Sequence, residues 1–222
     1  MRKISKRVTT QQPLSQEEQL FETAISSILT QGYAIVDGFL PSEATSAILQ
    51  DLQQAFAEGR FDQAGIGNQQ SYQMNQEIRR DRIHWLDHKQ PPAPCQLFFS
   101  RLQEMIAYFN RTCYLGIRDL EMHYARYGAG GFYKRHLDVF HRSQARKLSA
   151  IFYLNENWQE ADGGALVMYF PQEDGGEHSL KVLPEAGRLV LFNSQLIEHE
   201  VQQSARERCS ITGWLKDEPA LF

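Results

Sequence analysis

A chain of 222 residues with a formal net charge of −4 has room for one domain and lacks the basic excess of a nucleic-acid-binding protein. No apolar run is long enough to span a membrane, and no apolar stretch follows the N-terminal charges as a signal peptide requires. Three cysteines without a C-x-x-C spacing predict free thiols in a reducing compartment. The composition therefore predicts a cytoplasmic protein that binds neither nucleic acid nor membrane, and it leaves the oligomeric state open.

The first half of the chain reads mainly as helices. Residues 1–12 are basic and contain no acid, which predicts a disordered leader. A capping box at 15–18 opens a helix that ends at Gly32, and a strand is predicted over 33–40. A second helix is predicted from Pro41 and Ser42 to Gly59, and a third over about 94–108. These helices are expected to cover one face of a sheet.

From Asp119 onward the sequence changes to short apolar or alternating runs separated by Gly, Pro, Asn and Asp. Eight strands are predicted there: 120–127, 132–138, 147–154, 165–170, 180–183, 188–192, 199–201 and 209–215. This spacing is typical of a sandwich or barrel and not of βαβ units. Residues 60–77, polar and without periodicity, form a loop of a length that is usually functional or disordered.

Three residues of the second half could bind a metal. If 136–138 lies on a strand, His136 and Asp138 share one face, and His199 follows downstream. Two imidazoles and one carboxylate are the ligand set of non-heme Fe(II) oxygenases, although zinc accepts the same ligands. Nine residues after His199, Arg208 begins a strand-like run, and a hydrolytic zinc site has no need of that cation. The pattern favours iron together with an anionic co-substrate.

The same segments resemble a known family. The motifs are YGAGGFYKRHLD (127–138), AIFYLN (150–155), DGGALVMYFP (162–171), and HEVQ followed by RCSITGW (199–214). In this order they are similar to Fe(II)/2-oxoglutarate dioxygenases of the prolyl 4-hydroxylase branch. IRRDRIHWLD (78–87) is also similar to the prolyl hydroxylases that modify hypoxia-inducible factor and to their bacterial relatives. The resemblance covers about 33–215.

The resemblance implies a mainly β fold with α-helices: a double-stranded β-helix, or cupin-like jelly-roll. One domain over 13–222 would have helical support at 13–112 and its core at 119–216. The implied cofactors are Fe(II), 2-oxoglutarate and O2, with ascorbate as a reductant. His136, Asp138 and His199 would be the metal ligands and catalytic centre.

The resemblance also assigns two pockets. Arg208 and Tyr153 would bind the distal carboxylate of 2-oxoglutarate, with Thr212 completing that pocket and Tyr127 beside it. Tyr133, Trp214 and Trp85 would line a slot for a prolyl ring, although ordinary core packing is the alternative for each aromatic residue. The 60–77 loop is expected to be mobile alone and to order over the active-site mouth when a peptide binds.

The implied function is a protein prolyl 4-hydroxylase that acts on a proline-containing protein or peptide and releases succinate and CO2. Elongation factor Tu is a possible target. The alternatives are a hydroxylase of a free amino acid or small metabolite, and a catalytically silent jelly-roll that senses 2-oxoglutarate or oxygen.

Other features invite simpler interpretations. The remaining histidines lack a ligand pattern and are expected to be structural or solvated: His84, His88, His123, His141 and His178. The glycine-rich 128–131 is not a phosphate loop, because no helix with Lys-Ser/Thr follows it. The basic patch at Arg79, Arg80 and Arg82 is either a solvated strand edge or a contact for an acidic part of a protein substrate.

Overall fold

The computed structural model describes residues 14–65, 75–138, 145–172 and 174–217. The predicted basic leader at 1–12 lies outside the described residues. So do residues 66–74 of the polar loop and His141, and the expected closure of that loop stays a prediction.

Three α-helices lie within the described residues, and local sequence signals set both ends of the first. Helix α1 is Gln16–Gln31, and the Ser15 hydroxyl and Glu18 carboxylate form both bonds of the predicted capping box. Gly32 ends it in the left-handed conformation with φ 85°. Helix α2 is Ser42–Ala57, and α3, Gln96–Cys113, extends beyond its predicted end.

In the part of the chain that the structure describes, eleven strands form two antiparallel sheets. They are β1 Tyr33–Val36, β2 Asp62–Gln63, β3 Asp81–Leu86, β4 Asp119–Tyr127, β5 Tyr133–His136, β6 Arg146–Tyr153, β7 Leu166–Pro171, β8 Glu177–Val182, β9 Leu189–Asn193, β10 Glu198–Val201 and β11 Arg208–Lys216. The larger sheet has the order β1-β9-β6-β11-β4-β3-β2, and the smaller has β5-β10-β7-β8. The two sheets form the predicted jelly-roll, with the helices on one side.

The eight strands predicted after residue 119 are all present, with ends shifted by a few residues. The larger sheet also takes three strands from the first half of the chain. Of these, β3 was not predicted as a strand, and β2 lies inside the segment that was predicted to be a loop. Both belong to the edge of the sheet, where β3 pairs with β4 and β2 pairs with β3.

The larger sheet separates an apolar layer from a polar interior. On one face of β11, Cys209, Ile211 and Leu215 pack with the helices in the main core. The alternate residues, from Arg208 to Trp214, point to the other side, toward the smaller sheet. The interior of the barrel is therefore polar along this strand, which positions a site there.

Within the described ranges, no helix is long and apolar enough to cross a membrane. All three cysteines are free, with Cys95 and Cys209 buried.

Candidate metal and co-substrate site

Adjacent strands of the smaller sheet bring the three predicted metal ligands together. His136 ends β5 and is in register with His199 on β10. Asp138 follows two residues later, beyond the end of the strand, so the prediction that it lies on a strand is wrong. One ligand atom of each residue lies within 4.8 Å of the others. The carboxylate of Asp138 therefore reaches the two histidines from the bend after β5, and not from the same face of a strand as His136.

Backbone carbonyl groups fix the orientation and the tautomer of both imidazole rings. The Nδ1 of His136 lies 2.7 Å from the Lys134 carbonyl oxygen, and that of His199 lies 3.2 Å from the Ile197 carbonyl oxygen. Because a carbonyl only accepts, each Nδ1 carries the proton and each Nε2 keeps its lone pair for the site. Burial lowers the pKa of His199 to about 4, so its ring is neutral at physiological pH.

The carboxylate of Asp138 is held ionised by its neighbours. Burial alone would raise its pKa, but the imidazoles of His199 and His136 and the Ser149 hydroxyl together hold the pKa well below its usual range. Ser149 donates to Asp138 Oδ2 at 2.7 Å, and its oxygen lies 2.9 Å from that of Ser194. Both serines are buried. This pair orients the carboxylate and was not found from the sequence.

The donor set fits a divalent metal ion. The His136 Nε2 is buried and has no hydrogen-bond partner among the described residues. Tyr133 stacks on the His136 ring, with centroids 3.6 Å apart, and limits its rotation. Two imidazoles and one carboxylate, whose ligand atoms converge, are the ligands that Fe(II) takes in oxygenases.

Replacing Ser149 with alanine should weaken metal binding while the protein stays folded. The Asp138 carboxylate loses the donor that orients it, and losses of this kind typically reduce metal affinity about 10–100-fold. Competition of the purified protein with a chelator for Fe(II) or Co(II) measures the affinity. Ser179→Ala, at an exposed serine of β8, is the control and should change nothing. Equal affinities in the two variants would show that Ser149 only fills space.

A second polar site lies further along the barrel interior, at Arg208. This guanidinium is 1% exposed, and its Nε donates to the Gly164 carbonyl oxygen at 2.9 Å. Its Nη2 is buried without a hydrogen-bond partner, and no carboxylate in the described part of the chain forms an ion pair with it. A buried cation is stable only when it is paired, so the site calls for an anion.

Two tyrosines flank this guanidinium. The Arg208 Cζ lies 5.0 Å from the Tyr153 ring centroid and 5.1 Å from that of Tyr127. The Tyr153 hydroxyl is also buried without a hydrogen-bond partner among the described residues. Burial raises the pKa of Tyr153, so the hydroxyl keeps its proton and can donate it. Two unused donors, one of them charged, fit one carboxylate.

Residues of β11 that were predicted to line the pockets pair with residues of β6. Ser210 pairs with Tyr153, and its hydroxyl lies 2.9 Å from that of Thr212. Trp214 pairs with Ser149, which contacts Asp138. The strand therefore runs from the anion site at Arg208 to the metal triad, with two hydroxyl groups between them.

A glycine turn holds the backbone carbonyl that anchors Arg208. Gly163 has φ +66°, and a Cβ there would lie 2.4 Å from the Gln203 carbonyl oxygen. Only glycine allows the chain to pass so close to the segment that precedes β11. The next residue, Gly164, supplies the oxygen that Arg208 contacts.

Gly163→Ala should therefore destabilise the protein more than an alanine at another glycine with positive φ. Gly175 is the matched control, because it has φ +82° but no heavy atom within 4 Å of a built Cβ. Strain alone should cost about 1–3 kcal/mol in each variant, and the clash should add to this only at Gly163. Denaturant unfolding measures both, and equal losses would contradict this account of the turn.

The mouth of the barrel has aromatic walls. Trp85 is 53% exposed and its ring lies 4.9 Å from that of His123, which lies 5.7 Å from Trp214. Arg146 also covers Trp214, with its Cζ 3.3 Å from the ring centroid, and contacts Glu121 at 3.2 Å. The sequence placed both tryptophans in this wall. It did not place His123 or Arg146 there, because strand register brings these two residues to the wall.

A buried ion pair supports the same wall. Arg79 contacts Asp81 at 2.7 and 2.5 Å, and Asp81 is fully buried. The Arg79 Cζ lies 4.3 Å from the Tyr133 ring centroid, and its Nη1 donates to the Gly65 carbonyl oxygen. The guanidinium thus links the start of the polar loop to the tyrosine that stacks on His136. The prediction placed Arg79 in a surface patch, but only Arg80 and Arg82 are exposed.

Three of the remaining histidines lie away from the triad. His88 contacts Asp119 at 3.4 Å, His84 lies beside Phe61, and His178 stacks on Phe170. Within the described residues, only His136, Asp138 and His199 group as metal ligands.

Comparison with known proteins agrees with this geometry. Residues 122–216 match the model of the 2OG-Fe(II) oxygenase superfamily. Among solved structures, a prolyl-4-hydroxylase of Pseudomonas putida is 35% identical, with a TM-score of 0.77, over 90% of this chain and 100% of that one. The chain belongs to the 2OG-Fe(II) oxygenase superfamily, whose members use Fe(II), 2-oxoglutarate and O2.

Two further similarities narrow the branch. A prolyl hydroxylase of Trichoplax adhaerens, solved with a peptide fragment of the hypoxia inducible factor oxygen degradation domain, is 27% identical over 90% of each chain, with a TM-score of 0.78. The hypoxia-inducible factor prolyl hydroxylase of Caenorhabditis elegans is 28% identical over 88% of this chain. The chain spans only 28% of that protein's length. The resemblance to prolyl hydroxylases that was seen in the motifs is confirmed.

Proposed function

We propose that this protein is an Fe(II)- and 2-oxoglutarate-dependent prolyl 4-hydroxylase that acts on a protein or peptide. The observation that supports this most is the pairing of a His-Asp-His triad with a buried cation that has no anion among the described residues. A hydrolytic metal site needs no such cation, whereas a dicarboxylate co-substrate does. The whole-chain similarity to the P. putida prolyl-4-hydroxylase points to the substrate class.

The chain's own residues divide the work. His136, Asp138 and His199 hold Fe(II), while Arg208 and Tyr153 bind the distal carboxylate of 2-oxoglutarate, with Thr212 beside it. When bound, Fe(II) and 2-oxoglutarate supply the oxidation, in which O2 gives one atom to succinate, formed with CO2, and one to the hydroxyl group of the product.

The mouth orients the substrate and excludes water. Tyr133 stacks on His136 of the triad, Trp214 lies next to His123, and Trp85 offers the exposed surface that meets a ligand first. A pyrrolidine ring is apolar and rigid, so aromatic walls can bind it without ordering a flexible side chain. Arg79 fixes Tyr133 and the start of the polar loop in one arrangement.

The test separates proteins from metabolites as substrates. A proteome extract dialysed free of small molecules, and the removed metabolite fraction, are each incubated with Fe(II), 2-oxoglutarate and the enzyme. Asp138→Asn protein serves as the inactive control. Mass spectrometry should find one added oxygen on proline residues of peptides from the extract. Purified elongation factor Tu, the specific candidate that we propose, is tested in the same way.

Each other result would contradict part of this proposal. Oxygen added only to metabolites would overturn the protein substrate, and oxygen on other residues would overturn the prolyl assignment. If 2-oxoglutarate binds but neither fraction is oxidised, the barrel is a sensor and not a hydroxylase.

A further inference from the structure

The unsatisfied polar atoms of the barrel interior fall into three groups. Within the described residues, the His136 Nε2 belongs to the metal triad, and the Arg208 Nη2 and Tyr153 hydroxyl belong to the anion site. The third group is the His123 Nδ1 together with the Trp214 Nε1, both buried and without a hydrogen-bond partner. The proposed metal and 2-oxoglutarate explain the first two groups and leave the third without a ligand.

Strand register puts the third group at the mouth. His123 lies on β4 between Trp85 of β3 and Thr212 of β11, and its ring contacts the rings of Trp85 and Trp214. His123 is 3% exposed, so leaving its nitrogen unpaired costs about 1–3 kcal/mol. Such a cost is tolerated at sites where a ligand later supplies the partner.

The charge around His123 favours an acceptor. Burial, followed by the charge of Arg79, lowers the pKa of His123 to about 3, with Arg146 adding to the effect and Asp81 and Asp138 opposing it. The ring is therefore neutral, and one of its nitrogens carries a proton. The Trp214 indole can only donate. With the His123 proton on Nδ1, the histidine and the indole are two donors beside two guanidinium groups, and they fit an oxygen atom of the ligand.

Proline chemistry supplies that oxygen. The nitrogen of a prolyl residue has no hydrogen, so the amide on its N-terminal side offers only a carbonyl acceptor. We propose that the Nδ1–H of His123 and the indole N–H of Trp214 form a subsite for an amide carbonyl next to the target proline. His123 is then a specificity-determining residue, an assignment that rests on the proposed function.

The test measures the NMR signals of both N–H groups. Zinc-loaded protein, which cannot turn over, is labelled with nitrogen-15 in histidine and tryptophan. It is titrated with N-acetyl-L-prolinamide in the presence of 2-oxoglutarate. Loss of signals in His123→Phe and Trp214→Phe assigns the two groups. Both signals should move on binding, with one shared dissociation constant and shifts typical of hydrogen-bonded N–H groups.

Variants separate hydrogen bonding from packing. His123→Phe keeps an aromatic ring and should weaken prolinamide binding about 10-fold, the loss expected for one buried hydrogen bond. His123→Asn, whose amide can replace the Nδ1–H, should stay within about threefold of wild type. The wild-type titration remains decisive if either variant does not fold.

Two outcomes would overturn the inference. The first is that neither signal moves, because a bound water or no ligand then occupies the two donors. The second is equal affinity in His123→Phe and wild type, which makes His123 a packing residue. Binding of 2-oxoglutarate is measured in the same samples, and its absence in wild type would instead contradict the proposed function.

Discussion

Replacing Arg208 with leucine is expected to weaken binding of 2-oxoglutarate by at least about 30-fold. The guanidinium is buried beside Tyr153, and within the described residues it has no carboxylate partner. Removing one member of a buried charge pair typically costs about 2–5 kcal/mol of binding free energy, or roughly 30-fold to several thousandfold in affinity. Titration calorimetry with the zinc-loaded protein measures the dissociation constant.

Thermal unfolding provides an independent reading. At 2-oxoglutarate concentrations about 100 times the wild-type dissociation constant, wild type should gain about 2.7 kcal/mol of stability, and Arg208→Leu should gain less than about 1 kcal/mol. Arg206→Leu is the matched control, since Arg206 lies two residues before Arg208, is half-exposed and pairs with Asp162. If Arg208→Leu still binds 2-oxoglutarate as tightly as Arg206→Leu does, the carboxylate site is elsewhere.

Replacing Asp138 with asparagine is expected to lower metal affinity by more than the roughly 100-fold upper limit for residues that only orient a ligand. Asparagine keeps the shape of the side chain but removes the negative charge between His136 and His199. Chelator competition with Fe(II) or Co(II) measures the effect, and turnover of 2-oxoglutarate should fall to background with it.

Asp81→Asn is the contrasting control for this prediction. Asp81 is a buried acid of the same barrel, but it contacts Arg79 and not the triad. Its loss leaves a largely buried guanidinium unpaired, which should cost about 3–5 kcal/mol of folding free energy while metal affinity is retained. The assignment of Asp138 fails if the two variants bind metal equally well.

Local signals allowed much of this fold to be predicted. The Ser15 and Glu18 capping box and Gly32 set the limits of α1, because capping depends on residues close in sequence. The strands after residue 119 could be found from alternation and turn residues. Strand β3 could not, because its outward residues Arg82 and His84 are polar and pack beside Phe56 and Phe61.

The residues of the site also fall into two groups, those that a sequence motif indicates and those that only the fold brings into place. His136, Asp138, His199 and Arg208 could be proposed from the sequence because their order forms a motif along the chain. Ser149 and His123 were missed, because neither lies in a recognisable spacing and each acts through partners on other strands. Register between strands is a tertiary property, so the residues that orient the metal ligand and line the mouth emerge only from the folded chain.

The most direct test of the central claim is an oxygen-18 experiment on the iron-loaded wild-type enzyme. The enzyme is incubated with 2-oxoglutarate, a proteome extract and labelled O2, and succinate and peptides are analysed by mass spectrometry. We expect one labelled oxygen in succinate and one on a proline residue with the wild type, and neither with Asp138→Asn. Consumption of 2-oxoglutarate that is no greater in wild type than in Asp138→Asn would contradict the central claim.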